Sequence, residues 1–260
     1  MNAESNSTPP GGKSKKAPTD AGSKTFVASR EAVAKAKQLR LFAILAWLVA
    51  IGLQLYAIFG VLFKPPVNMT LLIVLIAICL VLALTASFLW KKSNRLDPAS
   101  EKDKVKFFIQ NQLGAIMGIL AFLPLVILIF TNKDLSGKQK GLVGSIAVVA
   151  MLIAGIAGVE FDPPSIEKYT EEIQAQTNTL KTLNMDQDNV FWTKAGNKYH
   201  IYEDCQHIRG RDEIHNGSVK ESWEQKGISE LCKTCQNRAM KERNISEEDL
   251  GNTIKDAVTP

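Results

Sequence analysis

Long apolar stretches separated by short polar ones fill the middle of this 260-residue chain. Four of them, residues 41–63, 68–90, 107–131 and 141–159, are mostly apolar over their whole length. A helix that rises 1.5 Å per residue needs about 20 such residues to cross a hydrocarbon core of about 30 Å. The pattern therefore predicts four transmembrane helices within residues 41–159.

Proline and glycine positions indicate how these helices turn and pack. Pro65 and Pro66 predict a tight turn between the first two spans, and Pro124 predicts a kink in the third. Four glycines are expected to allow close contact between helices, since a residue without Cβ lets backbones approach. They are Gly114, Gly144, Gly155 and Gly158.

The polar residues inside the spans are neutral. Gln54, Gln110, Asn111 and Gln112 lie in them, and no Asp, Glu, Lys, Arg or His occupies the middle of any span. Proton and ion pathways usually need such a group, so the pattern does not favour transport. We expect Asn111 and Gln112 to form hydrogen bonds between helices. Cys79 lies in an apolar stretch and is expected to be a small buried hydrophobic residue.

The N-terminal flank divides into two parts. Residues 1–25 are rich in Ser, Pro, Gly and Lys and predict a disordered basic tail. This tail is not expected to be a signal peptide, because the first apolar stretch begins too late and is too long. Lys13, Lys15 and Lys16 could contact anionic lipid or a partner. Residues 26–40 predict a basic juxtamembrane helix, with Ser29 as its N-cap.

The positive charge of the chain indicates its orientation. The formal net charge is +5, and 14 Lys and Arg residues precede the first span or lie between spans two and three. The other two loops carry four. Because cytoplasmic loops are enriched in Lys and Arg, we expect a multi-pass protein of the cell membrane with both termini in the cytoplasm.

Residues 160–185 predict a linker helix. Ile166, Ile173 and Leu180 recur every seven residues, and Tyr169, Gln176 and Leu183 take the companion heptad positions. Such a stripe is typical of a short coiled coil, but three heptads also suit a helix packed on its own domain. The sequence leaves open whether residues 165–184 mediate self-association.

Residues 186–243 predict a small α+β zinc-binding domain. We identify His200, Cys205, Cys232 and Cys235 as candidate zinc ligands, with His207 as the alternate fourth ligand. A tight Cys-x-x-Cys turn places two sulfurs on one metal, and the upstream residues complete a tetrahedron. A domain of this size rarely folds on its apolar core alone, which favours a structural metal.

The remaining pattern of this domain predicts its elements. Residues 190–193 and 198–202 flank a Gly-containing turn and predict a β-hairpin. A helix capped by Ser218 and ended by Gly227 follows, and a last helix over residues 236–243. His215 is expected to be exposed, and residues 244–260 to be a tail with little to pack. The expected apolar core contains Trp192, Tyr199, Tyr202, Ile208, Trp223 and Ile228.

The stretch Gly-Asn-Lys-Tyr-His-x4-Cys, followed by Lys-Gly-Ile-x3-Cys-x2-Cys, resembles the small Ada-like zinc domain of bacterial proteins. The resemblance covers about residues 190–240 and does not extend to the membrane block. It implies an α+β fold and a zinc ion. In the Ada DNA-repair protein one zinc-bound thiolate accepts a methyl group. Because His200 stands at the equivalent first position, the resemblance does not imply that repair chemistry here.

Together these features predict an all-α polytopic membrane protein with four transmembrane helices and a C-terminal zinc module. We expect a non-enzymatic protein that presents this module in the cytoplasm for protein interaction. One alternative is a membrane-tethered nucleic-acid-binding module, less favoured because Lys and Arg alternate with Asp and Glu throughout the module. Another is a transporter or enzyme regulated by zinc, in which Glu160 and Asp162 are the candidate acids near the bilayer.

Overall fold

The computed structural model describes residues 25–251, and its larger part is a bundle of apolar helices. The predicted basic tail therefore lies, apart from Thr25, outside the described residues. The bundle elements are α1 (Arg30–Tyr56) with a π-helical extension (Ala57–Leu62), α2 (Met69–Leu96), α3 (Lys104–Leu120), α4 (Leu123–Thr131) and α5 (Gly137–Gly158). They are followed by α6 (Ile166–Leu183) and a small C-terminal module.

Within residues 25–251, four helical segments are long and apolar enough to cross a membrane: Arg30–Leu62, Met69–Leu96, Lys104–Thr131 and Gly137–Gly158. Their number agrees with the four predicted spans. The first begins at the Ser29 N-cap, whose hydroxyl accepts a hydrogen bond from the Ala32 N–H at 3.1 Å. The third is interrupted between α3 and α4, just before Pro124. Proline has no N–H to continue the helical hydrogen bonding, which explains the break at that position.

Small residues bring α3 and α5 into backbone contact. A Cβ atom at Gly114 would lie 2.9 Å from the carbonyl oxygen of Gly158, and one at Gly118 would lie 2.7 Å from that of Ala154. These pairs repeat every four residues on each helix, the spacing that lets helices approach in a membrane. Gly114 and Gly158 thus have the predicted role, and Gly118 is an additional contact that the sequence did not single out.

A polar network joins α1, α2 and α3 at one end of the bundle. The Arg40 guanidinium lies 2.8 Å from the Asp97 carboxylate. The Gln110 side-chain amide donates to the Asp97 carbonyl at 2.8 Å, and the backbone carbonyl of Gln110 accepts from Trp90 Nε1 at 2.8 Å. Asn111, by contrast, donates to the Phe107 carbonyl of its own helix, so its predicted inter-helix hydrogen bond is wrong. The inter-helix role belongs to Gln110.

Gln112 meets the prediction only in part. Its side-chain amide donates to the carbonyl of Glu160, in the segment that follows α5, at 3.3 Å. Nearby, the Lys91 ammonium donates to the Val159 carbonyl at the C-terminal end of α5, at 2.6 Å. A cation is favourable there because helix C-termini carry partial negative charge.

The N-terminal segment and the C-terminal module meet at this same end of the bundle. The Phe26 N–H donates to the Thr170 hydroxyl at 2.9 Å, and the Val27 N–H donates to Glu224 at 2.9 Å. The loop after α2 joins them, since the Ile166 N–H donates to the Ala99 carbonyl at 3.2 Å. The N-terminal segment therefore contacts both α6 and the module, and the loop after α2 contacts the start of α6.

The heptad stripe of α6 packs within the chain. Ile173 is buried with Phe26, and Leu180 and Leu183 are buried in the core of the module. The polar heptad position, Gln176, accepts a hydrogen bond from the Tyr199 hydroxyl. Of the two interpretations that the sequence left open, these contacts favour a helix packed on its own domain.

The strands of the module pair differently from the predicted hairpin. They are β1 (Val190–Thr193), β2 (Lys198–Tyr199), β3 (Ile214–Gly217) and β4 (Glu230–Leu231). β1 pairs antiparallel with β3, and β2 pairs parallel with β4. The predicted pairing across the turn is reduced to one antiparallel bridge between Phe191 and His200. The predicted hairpin was therefore wrong about the main partner of β1, which is β3, because β3 offers a longer edge for pairing.

Two helices complete the module: α7 (Val219–Lys226) and α8 (Lys233–Arg243). As predicted, Ser218 caps α7 and Gly227 ends it in the left-handed region, with φ 67°. The last helix begins three residues earlier than expected, directly after Cys232. The tail after α8 does pack, since residues 247–251 are helical and Leu250 is buried in the module core. The prediction of an unpacked tail was wrong there, and residues 252–260 lie outside the described part.

Candidate metal centre

Four side chains converge at the centre of the module. The candidate ligand atoms of His200, Cys205, Cys232 and Cys235 all lie within 4.8 Å of one another. The Nδ1 atom of His200 is 3.6 Å from the Cys235 sulfur. Zn–N and Zn–S bonds in a tetrahedron place such atoms roughly 3.6 Å apart, so the spacing suits a single ion.

Short backbone elements hold each of the four residues. His200 follows β2, and its N–H and carbonyl both pair with Phe191, at 2.7 Å and 2.8 Å. Cys205 lies in a tight turn, where its carbonyl accepts from the Ile208 N–H at 2.9 Å. Cys232 follows β4, and its N–H donates to the Tyr199 carbonyl at 2.9 Å. The parallel pairing of β2 with β4 thus brings the two halves of the ligand set together.

All four side chains are buried. His200 and Cys205 are 5% exposed, Cys232 is 4% exposed and Cys235 is 1% exposed. Cys205, Cys232 and Cys235 are free thiols, and they lie close enough together to share a metal with His200. Three soft sulfurs and one imidazole are a donor set that a tetrahedral zinc ion prefers, and all four residues have little contact with solvent. The cluster could hold a metal ion in a closed site.

Electrostatics around the cluster differ from one ligand to the next. Burial, reinforced by the neighbouring His207, lowers the pKa of His200 from 6.5 to about 4, which keeps the imidazole neutral and able to bind a metal. Burial raises the pKa of the Cys235 thiol. Burial also opposes ionisation of Cys232, but the N–H groups of Cys235 and Thr234 outweigh it and lower the pKa of that thiol. A bound cation would favour the thiolate at every position.

The other candidate histidines lie outside the cluster. His207 is exposed, with its Nε2 3.0 Å from the Thr234 hydroxyl and its ring centroid 6.3 Å from that of His200. His215 is half-buried on β3 and stacks on Trp192, with ring centroids 6.0 Å apart, so its predicted exposure was wrong. The structure thus brings His200, and not the alternate His207, to the three cysteines.

An ion-pair network that the sequence analysis missed supports the turn of Cys205. Arg238 on α8 contacts both carboxylate oxygens of Asp204, at 2.8 Å and 3.0 Å, and lies 2.8 Å from Glu242. The guanidinium carbon also lies 4.0 Å from the centroid of the Tyr202 ring. The i,i+4 spacing of Arg238 and Glu242 was the available signal. Both carboxylate oxygens of Asp204, the residue before Cys205, are held in this network.

The core around the cluster contains most of the predicted residues. Trp192, Tyr199, Ile208 and Ile228 are buried there, and Tyr202 is partly buried against it. Trp223 is different, since it belongs to a separate cluster with Phe26 and Ile173. Its placement in the module core was wrong because α7 turns this side chain towards the N-terminal segment.

Cys79 lies in the bundle core, far along the chain from the cluster. Its thiol donates to the Ala50 carbonyl at 3.5 Å, as expected for a small buried residue. When the chain is compared with protein-family models, with curated proteins and with solved structures, no match is found in any of the three.

Proposed function

We propose that this chain is an integral membrane protein that carries one structural zinc ion in its C-terminal module. In this proposal the module is presented in the cytoplasm for binding to a protein partner. The main observation behind this proposal is the closed cluster of His200 and three cysteines, in which every candidate ligand is at least 95% buried. A catalytic zinc needs an open position for water, and such a closed, sulfur-rich set is typical of structural sites. The resemblance to the Ada-like domain supports the same interpretation.

The surface of the module supports a protein partner. Within residues 186–251 no large apolar side chain is exposed, so a partner would meet a polar face. Residues 186–243 contain ten Lys and Arg and ten Asp and Glu. Such a balance gives no sustained positive potential for a nucleic-acid backbone, whereas the polar rim of a protein interface can include charges of both signs. Nucleic-acid binding is therefore the weaker alternative.

The proposed orientation rests on loop charge. The N-terminal segment, the loop after α2 and the module meet at one end of the bundle, and that end carries most of the Lys and Arg residues of the loops. The positive-inside rule then places this end in the cytoplasm. Cytoplasmic thiols stay reduced, which suits a site built from three free cysteines.

One observation favours the alternative of a zinc-regulated membrane activity. Glu160 is 7% exposed just after α5, and one of its carboxylate oxygens has no hydrogen-bond partner among the described residues. Its other oxygen lies 3.7 Å from Arg95. A buried carboxylate of this kind could take part in proton transfer. If Glu160→Gln abolishes a flux in reconstituted vesicles, this alternative would replace the interaction role.

The first experiment measures zinc per chain in the full-length protein purified in detergent. We expect one equivalent, lost in Cys232→Ser and retained in Cys79→Ser, a matched thiol substitution outside the cluster. Wild-type protein that folds without any metal would overturn the structural role of the site.

The second experiment tests the partner. A photo-crosslinking residue replaces the exposed Arg211 in cells, with the exposed Lys133, in the loop between α4 and α5, as the control position. We expect one discrete protein adduct at Arg211, absent when Cys232→Ser is added. Adducts only to nucleic acid, or equal adducts at both positions, would contradict the proposed role.

A further inference from the structure

We propose that a cleft at the end of the bundle where α3 begins binds one anionic phospholipid. The cleft has a volume of about 510 Å³ and lies between α1, α2 and α3. Its lining includes two cations, an interfacial tryptophan and three aliphatic side chains: Arg40, Lys106, Trp90, Val105, Ile109 and Leu113. This inference does not depend on the zinc module, because none of its residues belongs to that module.

The polar and apolar parts of the cleft follow the axis of α3. Lys106, Ile109 and Leu113 are spaced three, four and seven residues apart, so they share one face of the helix. At 1.5 Å per residue, Leu113 lies roughly 10 Å deeper along α3 than Lys106. The cleft therefore runs from a cation at the mouth to aliphatic side chains inside a candidate span. A phospholipid has the same order, with a phosphate above its acyl chains.

The outer wall of the cleft is not covered by other parts of the protein. Val105 is 70% exposed and Ile109 is 48% exposed. Both belong to a segment apolar enough to cross a membrane, so the medium that meets them in the bilayer is lipid. An acyl chain resting on these side chains would cover apolar surface that no protein residue covers.

The charge balance at the mouth suits an anion. Two cations and one carboxylate, that of Asp103, line the cleft. Asp103 caps α3, where it accepts a hydrogen bond from the Lys106 N–H at 3.1 Å. Lys106 makes no ion pair among the described residues, and its ammonium is exposed. Because Asp97 already neutralises Arg40, Lys106 is the cation of the lining that is left for a ligand, and its single charge matches that of a phosphodiester.

The inner wall is held in place before any ligand binds. Arg40 is fixed by the Asp97 carboxylate and carbonyl, at 2.8 Å and 2.9 Å. The indole of Trp90 is fixed by its hydrogen bond to the Gln110 carbonyl at 2.8 Å. The Trp90 ring is also packed against Trp47, with ring centroids 5.5 Å apart. A rigid wall lowers the entropic cost of ordering a ligand, so this cleft is better suited to retain a lipid than a mobile surface would be.

The test uses the full-length protein in mixed micelles that contain equal amounts of phosphatidylglycerol and phosphatidylcholine. After transfer to lipid-free detergent, mass spectrometry counts the lipids retained per chain. We expect phosphatidylglycerol to be retained preferentially by the wild-type protein. Lys106→Gln should lower that retention roughly fivefold, since one cation near a membrane surface contributes about 1 kcal/mol of attraction.

Two further variants separate the parts of the site. Lys92→Gln removes the same charge from an exposed residue near the end of α2 that does not line the cleft, and it should leave retention unchanged. Ile109→Trp fills the apolar part with every charge kept, and it should reduce retention as Lys106→Gln does. Equal retention of the two lipids by the wild-type protein, or equal effects of Lys106→Gln and Lys92→Gln, would overturn the proposal. Undiminished retention in Ile109→Trp would show that the acyl chains do not bind in the apolar part of the cleft, and would also overturn the proposal.

Discussion

Trp223 offers a way to separate the module from the bundle without touching the candidate metal centre. The side chain is 7% exposed and is buried with Phe26 and Ile173. Its ring centroid lies 5.5 Å from that of Tyr169, on α6. The three candidate cysteine ligands belong to a different apolar cluster. Trp223→Ala should therefore loosen the contact with the N-terminal segment and leave the metal in place.

The size of the effect follows from the burial. Truncating a buried tryptophan to alanine costs about 3 to 5 kcal/mol. Trp223 belongs to a small cluster that can partly collapse, so we expect the lower end, about 3 kcal/mol. Since 1.36 kcal/mol corresponds to a factor of ten, the ratio of docked to undocked module should fall roughly 150-fold. Trp223→Phe keeps an aromatic ring in the cluster, so it should lower the ratio of docked to undocked module much less.

Limited trypsin digestion of the full-length protein in detergent measures this change. Arg30 follows the docked Phe26 and Val27 and starts α1, so undocking should expose the chain there. We expect cleavage at Arg30 to be much faster in Trp223→Ala, at unchanged zinc content, and close to wild type in Trp223→Phe. Wild-type cleavage rates in Trp223→Ala would refute the docking role. Faster cleavage accompanied by zinc loss would refute the separation of this cluster from the metal centre.

Three other substitutions have defined outcomes. Gly158→Ala forces apart the backbones of α3 and α5, and should lower the free energy of unfolding by about 1 to 3 kcal/mol in thermal unfolding. Gly52→Ala, where a Cβ meets open space, should not destabilise the protein. An equal loss of stability in the two variants would contradict the contact at Gly158. His200→Ala should abolish stoichiometric zinc, while the exposed His207→Ala should keep it, and the opposite result would exchange the two ligands. Burial raises the pKa of the Glu224 carboxyl, so the folded protein binds the carboxyl proton more tightly than the unfolded chain does. Glu224 therefore destabilises the fold increasingly as pH rises from about 4.5, its ordinary pKa, through its raised pKa in the folded protein. Glu224→Gln should therefore raise the melting temperature at neutral pH and lose that advantage below about pH 4, and a constant difference across this range would contradict the linkage.

Some properties of this chain were predictable from local patterns. Four apolar stretches predicted four membrane-length helices, since the length and composition of a span are local properties. Capping signals predicted the starts of α1 and α7, because Ser29 and Ser218 each bond to an N–H three residues away. The Cys-x-x-Cys spacing likewise predicted that Cys232 and Cys235 lie on one turn. In each case the interacting groups are close in sequence.

Other properties depend on which distant segments meet, and only the tertiary structure decided them. The choice of His200 over His207 required the parallel pairing of β2 with β4, two strands more than thirty residues apart in the chain. Trp223 left the module core because the N-terminal segment, almost two hundred residues earlier, offered it an apolar partner. Apolar and ligand-type side chains show by their identity that they will be buried. Their identity does not show which residues they will be buried against, because the packing partners are set by contacts that the local sequence does not encode.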